Sequence, residues 1–384
     1  MQEKTLTLLK NIFKNYYFKH NNKVEVPERI EEREFGYMLF GGGMIRHLAI
    51  KTAGELKATL VKEAPYGVYT SSSYYDDPSL PMAEKGWKGG DLVFDIDADD
   101  LNMPCKIEHD WWQCKTCGNA QIGIRPQKCP SCSNTKILLL NWACDKCLEA
   151  TKNEIIKLQE ILMLDLGISE KETTIYFSGN KGYHMNVTSK SWYDMDQRAR
   201  NEMADYVSGK GLRPETLGFS YNMSYTDMLS RIPSIGEPSW RGRFAEFIRS
   251  YGDEKHSDIR IKAASLFIKT KPEDFQSLIT SAVKQHGSRV DPSVTTDIHR
   301  IFRLPGSLHG NSGLSKRRCD DILSFNPLVD AVEIGDEEIE VYVKFCSRFS
   351  LKGSTFGPYI KQNIKLPLYA ATYLMSKDLA EVSP

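Results

Sequence analysis

Blocks of strand-like alternation and blocks of helical periodicity follow one another without a regular strand-helix-strand repeat. That predicts an α+β fold, a mixed or antiparallel sheet core flanked by helices. Three stretches carry the prediction: the alternation in GGDLVFDIDAD, the helical spacing of Leu148, Ile155, Leu158 and Leu162, and the strand-turn-strand pattern of TTIYFSGNKGYHMNV. The chain has 384 residues, 41% of them hydrophobic and 26% charged, which is the composition of a soluble globular protein. Its length allows about two to three domains.

Taken in order, MQEKTLTLLKNIFKNYYFKH is broken by Lys4, Lys10, Asn11 and Lys14 and reads as an amphipathic helix, not a signal peptide. REFGYMLFGGGMIRHLAI reads as two strands joined through Gly41, Gly42 and Gly43, and TAGELKATLVKEAP as a helix ended by Pro65. GVYTSSSYY and GGDLVFDIDAD are two further strands. In the second, Leu92, Phe94 and Ile96 share one face and Val93, Asp95 and Asp97 the other. After a cysteine-rich window, CLEATKNEIIKLQEILMLDLGI is a helix, and the SGNKGYH turn follows. Residues 190–285 read as helical pieces broken by Gly and Pro, a helical insertion; the rest is strand and helix around SRVDPSVTTDIHRIFRLPGSLHGNSGL.

Fifty Lys and Arg balance fifty Asp and Glu, so a polyanion has to be bound by a local cluster and not by a global field. No stretch approaches the roughly 18 apolar residues that span a bilayer. The expectation is a cytoplasmic protein with no membrane contact.

Seven of the nine cysteines lie between residues 105 and 147. Cys114-x2-Cys117 and Cys129-x2-Cys132 have the spacing of a tetrathiolate zinc ribbon, with Gly118 and Pro130 at the turns. Cys105, His109, Cys144 and Cys147 flank it and form a second, Cys3His set if the ribbon is a hairpin inserted between its halves. Both sets would be closed structural Zn²⁺ sites that contribute folding energy. Cys319 and Cys346 stand alone and are expected to be buried apolar residues.

Two acids at i and i+2 on an otherwise apolar strand repel each other and lose solvation unless a cation lies between them. Oxygen-only ligands suit Mg²⁺ or Mn²⁺; the alternative is a solvated strand end. SGNKGYH sets Ser178, Gly179, Lys181 and His184 around a glycine turn, the groups a triphosphate tail needs, though a plain turn with a satisfied histidine has the same pattern. In the last segment Asp291 and Asp297 compete as a third acid. Arg303, Ser307 and His309 surround a Pro-Gly turn, and His299 and Arg300 read as helix-surface residues. Lys316, Arg317 and Arg318 are a contact for a nucleic-acid backbone or a solvated face.

VFDIDAD, SGNKGYH and the order Asp291, Arg303, LPGSLH together resemble the small catalytic subunit of archaeal and eukaryotic DNA primase. The likeness extends to REFGY, IRH and YTSSSYY and covers most of the chain. It implies the archaeo-eukaryotic primase fold: a catalytic core at 1–104, 148–189 and 286–384, a zinc-binding insertion at 105–147 and a helical insertion at 190–285. It also implies that Asp95, Asp97 and Asp291 hold Mg²⁺ or Mn²⁺, which favours Asp291 over Asp297. Ser178, Gly179, Lys181, His184, Arg303 and His309 would bind the nucleotide, and Arg46 would lie near the active site. Asn180 departs from the pattern, because the eukaryotic enzymes carry a basic residue there. The implied activity is template-directed synthesis of short RNA primers on single-stranded DNA from nucleoside triphosphates, at the replicating nucleoid, with DNA synthesis left open. The implied partner is the primase large subunit.

Overall fold

The computed structural model describes residues 2–252 and 258–383. It is an α+β chain whose sheets pair antiparallel throughout. Two four-stranded sheets position the site. The first runs Ile301–Arg303, Gly67–Ser71, Glu34–Met38, Met44–Ala49; the second runs Arg317–Arg318, Thr173–Phe177, Gly182–Val187, Leu92–Asp97. Segment 301–318 therefore begins on an edge of one sheet and ends on an edge of the other, which draws its side chains to the junction of the two.

The alternation of the Leu92–Asp97 strand is realised as expected. Leu92, Phe94 and Ile96 are buried in the main apolar core with Tyr183, Met185 and Val187 of the neighbouring strand, leaving Asp95 and Asp97 on the opposite face. Helix Asp145–Leu166 covers the core side, burying Leu148, Ile155, Leu158 and Leu162. The N-terminal helix Glu3–Lys19 and the helix Ala53–Glu63, capped by Thr52 Oγ1 on the Glu55 N–H, also occupy the predicted positions. Cys319 and Cys346 are buried.

Two predicted strands are split. GVYTSSSYY breaks at Ser72 into Gly67–Ser71 and Ser73–Tyr75, and GGDLVFDIDAD breaks at Asp91 into Trp87–Gly90 and Leu92–Asp97. A pair of buried guanidinium groups meets the backbone there. Arg33 donates to the Ser71 and Ser72 carbonyls, to Tyr74 Oη and to Asp91 Oδ2; Arg200, only 2% exposed, donates to the carbonyls of Gly90, Asp91 and Met195. These donors hold the backbone at both breaks, where the Ser72 carbonyl also accepts the Asp91 N–H at 2.9 Å. Arg200→Met should cost about 2–4 kcal/mol, because it strands three buried acceptors. A urea midpoint unchanged from wild type would refute the clamp.

The described residues between 197 and 286 hold helical pieces, as expected: Gln197–Ser208, Tyr225–Arg231, Ser239–Ser250, Ile259–Lys269 and Pro272–His286. Between Leu217 and Ala282 they build a separate apolar cluster around Phe219, Phe244, Phe267 and Phe275, with ring centroids 4.9–5.8 Å apart. The C-terminal stretch forms a three-stranded sheet, Tyr359–Pro367, Glu338–Cys346, Ala380–Val382, and the buried helix Leu368–Ser376.

Candidate active site

The face of the second sheet opposite the core carries the acids. Asp95 pairs with His184 and Asp97 with Gly182 across the ladder. A Cβ on Gly182 would lie 2.1 Å from the Ile96 carbonyl, so only glycine allows this register at the turn. His184 Nε2 is 3.1 Å from Asp95 Oδ1, and Lys316 Nζ is 3.2 Å from His184 Nδ1. An ammonium can only donate, which makes Nδ1 the acceptor and leaves the Nε2 proton for Asp95. Burial, and then the Lys316 charge, hold His184 below its ordinary pKa, so the ring is neutral. Lys316 is itself 1% exposed and lies over the Tyr176 ring; burial and the Arg303 charge push its pKa down to about 7.

Asp97 is held differently. Its Oδ1 accepts from the Asp99 N–H at 2.9 Å, and burial, reinforced by the Asp99 and Asp95 charges, raises its pKa. Asp100 is raised by burial and by Asp291, Asp95 and Asp99. The backbone N–H of Asp291 donates to the Asp95 carbonyl at 2.9 Å, while its carboxylate accepts from Ser293 N–H at the start of the short helix Pro292–Thr296. Asp297 instead closes its own turn on the His299 N–H, so Asp291 is the acid tied to the Asp95 strand. His299 and Arg300, expected on a helix, lie in the turn beyond it. The helix stops at Thr296 because Asp297 caps that turn.

The donor set is all carboxylate oxygen, and Asp97 is a desolvated acid among like charges, which fits a hard divalent cation. The three carboxylates form no closed cage. Among the described residues only two Cys/His sets bring all their ligand atoms within 4.8 Å of one another. Open carboxylate sites of that kind suit Mg²⁺, which keeps waters and takes substrate phosphates as further ligands.

Beside the acids, Ser178 Oγ accepts from the N–H groups of Asn180 and Gly182, leaving its own proton to donate. Gly179 has φ +87°, and a Cβ there would press on His309 and on backbone of Leu314 and Lys316. This turn is locked to the 304–316 segment, and Ser312 Oγ donates to the Gly179 carbonyl. His309 Nδ1 accepts from the Asn311 N–H; burial, then Arg303, Lys377 and Lys181, hold its pKa well below the ordinary value, so Nε2–H is a neutral donor. Arg303 is buried against Tyr69 and donates to Tyr69 Oη and the Leu308 carbonyl.

Two expected basic groups have partners already. Lys181 Nζ is paired with Asp99 Oδ2. Arg46 donates to Glu34 Oε1 at 2.8 Å and to the His299 carbonyl, sharing the fully buried Glu34 with the equally buried Lys85. Arg46 thus fastens the first sheet to the 297–300 turn. In the run 316–318 Lys316 is buried, Arg317 is half-buried and Arg318 is exposed. Strand alternation places Lys316 and Arg318 on the wall of a cleft of about 570 Å³ between the two sheets, and Arg317 pairs with Glu333.

The cysteine window folds as an inserted hairpin on the sheet Ala120–Ile122, Trp111–Cys114, Ile137–Leu140. Cys114 and Cys132 sulfurs are 3.6 Å apart, as are those of Cys117 and Cys129. Below it, Cys105 and Cys147 sulfurs are 3.4 Å apart, Cys144 lies 3.7 and 3.8 Å from them, and His109 Nε2 is 3.4 Å from Cys147 Sγ. A tetrahedral Zn²⁺ with Zn–S bonds of 2.3 Å needs sulfurs about 3.8 Å apart, so both tetrads are compatible with structural zinc. His109 Nδ1 faces Asp110 Oδ1 at 2.9 Å, the outer-shell carboxylate that frees Nε2 for a metal, and Asp110 also accepts from the Trp142 N–H. Pro130 lies in the second knuckle's turn, as expected, and each CxxC knuckle closes one residue after its second cysteine, where Gly118 and Ser133 take positive φ.

A family model described as DNA primase small subunit matches residues 140–320. Over full length the chain is 38% identical to the DNA primase small subunit PriS of Nitrosopumilus maritimus (strain SCM1) across 383 residues, covering 100% of both chains. It is 39% identical to that of Cenarchaeum symbiosum (strain A) across 390 residues, again 100% of both. The chain belongs to the DNA primase small-subunit family. It is therefore a primase-type nucleotidyltransferase. The PriS of Archaeoglobus fulgidus (strain ATCC 49558 / DSM 4304 / JCM 9628 / NBRC 100126 / VC-16) is 31% identical across 386 residues, covering 97% of each chain. The family-model match takes in the SGNKGYH hairpin and the RLPGSLH segment of this primase chain and leaves out the DxD strand.

Among the described residues of this primase small-subunit homologue no helix is long and apolar enough to cross a membrane. Sequence reasoning missed Lys316, Lys377 and the acids Asp99 and Asp100 as members of the site. Asp99 and Asp100 directly follow the DxD strand and were legible by adjacency. The flanking residues mark Lys316 only as part of a basic run and do not mark Lys377; both reach the site through tertiary contacts.

Proposed function

We propose that the chain is the catalytic subunit of a primase that makes short RNA primers on single-stranded DNA to start replication. The supporting observation is the juxtaposition of Asp95, Asp97 and Asp291 with the donor-lined SGNKGYH turn. In this reading the three aspartates hold Mg²⁺ or Mn²⁺, which when bound neutralises phosphate charge and makes the attacking 3′-hydroxyl more acidic. Asp95 is kept in place by the His184 N–H. Ser178, the His309 N–H, Arg303 and the backbone around Gly179 orient the triphosphate for in-line attack at the α-phosphorus, with Lys181 shared between Asp99 and the phosphates. Arg46 holds the first sheet against the site through Glu34.

The proposed organisation is a primase-fold catalytic core at 1–104, 148–189 and 286–384, with a zinc-binding insertion at 105–147 and a helical insertion at 190–285. Relatives named as small subunits point to a large-subunit partner. The test is synthesis on an unprimed single-stranded template from labelled nucleotides, alone and with the large subunit. Products complementary to the template support the reading; none under either condition overturns it. His184→Ala should lower kcat for incorporation about tenfold by freeing Asp95, and a change confined to template affinity would exclude that role.

A further inference from the structure

The tip of the SGNKG turn also borders a cavity of about 470 Å³, enclosed with the Ile137–Leu140 strand and the residues after helix Leu368–Ser376. Its walls include Tyr66, Trp142, Asn180, Lys181, Ser376 and Lys377. Its polar groups are short of partners: Asn141 Oδ1, Asn180 Oδ1 and Ser376 Oγ are buried without a hydrogen bond, and Ser376 is 5% exposed. Of these only the Ser376 hydroxyl can donate to an anion; the two amide oxygens are acceptors and do not speak for one.

Charge points the same way. Lys181 has Asp99, whereas Lys377 has no carboxylate within 4 Å among the described residues; its ammonium lies 4.7 Å from the Tyr373 ring centroid and 5.3 Å from that of Trp142. Asp378, its neighbour in sequence, pairs with Lys344. Arg303, Lys377 and Lys181 all act on His309 in the same sense. A position after a helix C-terminus favours a cation, but it does not account for two lysines lining one cavity, one of them with no carboxylate within 4 Å among the described residues. A polyanion would answer the two lysine charges, and the Ser376 hydroxyl could donate to it.

We propose that Lys377 and its cavity bind the outer phosphates of the incoming nucleoside triphosphate, and then the pyrophosphate released when the 3′-oxygen bonds to the α-phosphorus and the α–β bridge breaks. This rests on the reading of the SGNKGYH turn as the triphosphate site. It adds a phosphate-binding residue from the C-terminal helix at the level of the uncharged Asn180. A nucleic-acid backbone phosphate has the same chemistry, and the experiment separates the two.

The experiment uses the full chain with Lys377→Met, which keeps the stem on Trp142 and Tyr373 and removes the charge, and with Asn180→Arg plus Lys377→Met, which restores a charge on the same wall. Primer extension gives KM for nucleotide and for primer-template; calorimetry gives the affinity for inorganic pyrophosphate; thermal melting reports folding. Lys377→Met should melt at or above the wild-type midpoint, raise KM for nucleotide about tenfold and weaken pyrophosphate about tenfold, with KM for primer-template unchanged. The double variant should recover most of both losses. Unchanged nucleotide KM and pyrophosphate affinity, or a loss confined to primer-template, would overturn the proposal. Template-directed activity of the wild type is scored first, so a failure of the primase reading is seen independently of Lys377.

Discussion

Asp97→Asn abolishes nucleotide transfer and, in buffer without Mg²⁺ or Mn²⁺, raises the melting midpoint: that pair of opposite effects is the first expected result. The loss follows from removing a cation ligand. Divalent-ion stabilisation of the reaction is worth several kcal/mol, so transfer should fall on the order of a thousandfold. The gain follows from burial, which with Asp99 and Asp95 raises the folded-state pKa of Asp97. An acid whose pKa is raised by folding stabilises the fold only while protonated, and that contribution is lost as pH rises from the unfolded value through the folded one. At pH 7, above the unfolded value, that cost is present, and the isosteric amide removes it. Calorimetric melting of the zinc-loaded protein at pH 7 without added Mg²⁺ or Mn²⁺ checks the sign. A lower midpoint for the variant would mean that the carboxylate is structurally satisfied, and that the site is not built around a cation.

The second large effect is expected at Cys147. Its sulfur is fully buried at the first turn of helix Asp145–Leu166 and touches Cys105, Cys144 and His109. That helix packs on the strand carrying Asp95 and Asp97. Cys147→Ser should release one equivalent of zinc and cost about 3 kcal/mol or more, because metal binding energy is folding energy in such sites. Cys132→Ser, in the outer ribbon where Cys132 is exposed, should also release one equivalent but lower the midpoint less. Metal stoichiometry by atomic emission, read with melting curves, separates the two. Two equivalents retained in Cys147→Ser would remove the inner tetrad as a zinc site.

How much of this was legible depended on whether the cause was local. The alternation 92–97 showed its buried and acidic faces because a strand turns successive side chains to opposite sides, and the apolar half had to find the core. Both cysteine tetrads followed from ligand spacing, since a CxxC knuckle is a local structure. The breaks at Ser72 and Asp91 were not legible, because the groups that meet the backbone there, Arg33 and Arg200, are distant in sequence. Lys316 looked like part of a basic run. Only the pairing of Arg317–Arg318 with Tyr176 and Phe177 turns it inward, onto His184. Arg46 and Lys181 sat at expected places, yet their charges are already engaged by Glu34 and Asp99, and ion pairs of that kind cannot be read from spacing.

The central claim, that the Asp95 strand and Asp291 together form the nucleotidyl-transfer centre, is tested most directly by comparing Asp291→Asn with Asp297→Asn in labelled-nucleotide incorporation on a primed template with Mg²⁺ or Mn²⁺. The two acids lie six positions apart at either end of one short helix, but only Asp291 is bonded to the Asp95 backbone. The account predicts that Asp291→Asn loses incorporation with both ions while Asp297→Asn keeps it. Incorporation retained by Asp291→Asn and lost by Asp297→Asn would contradict it.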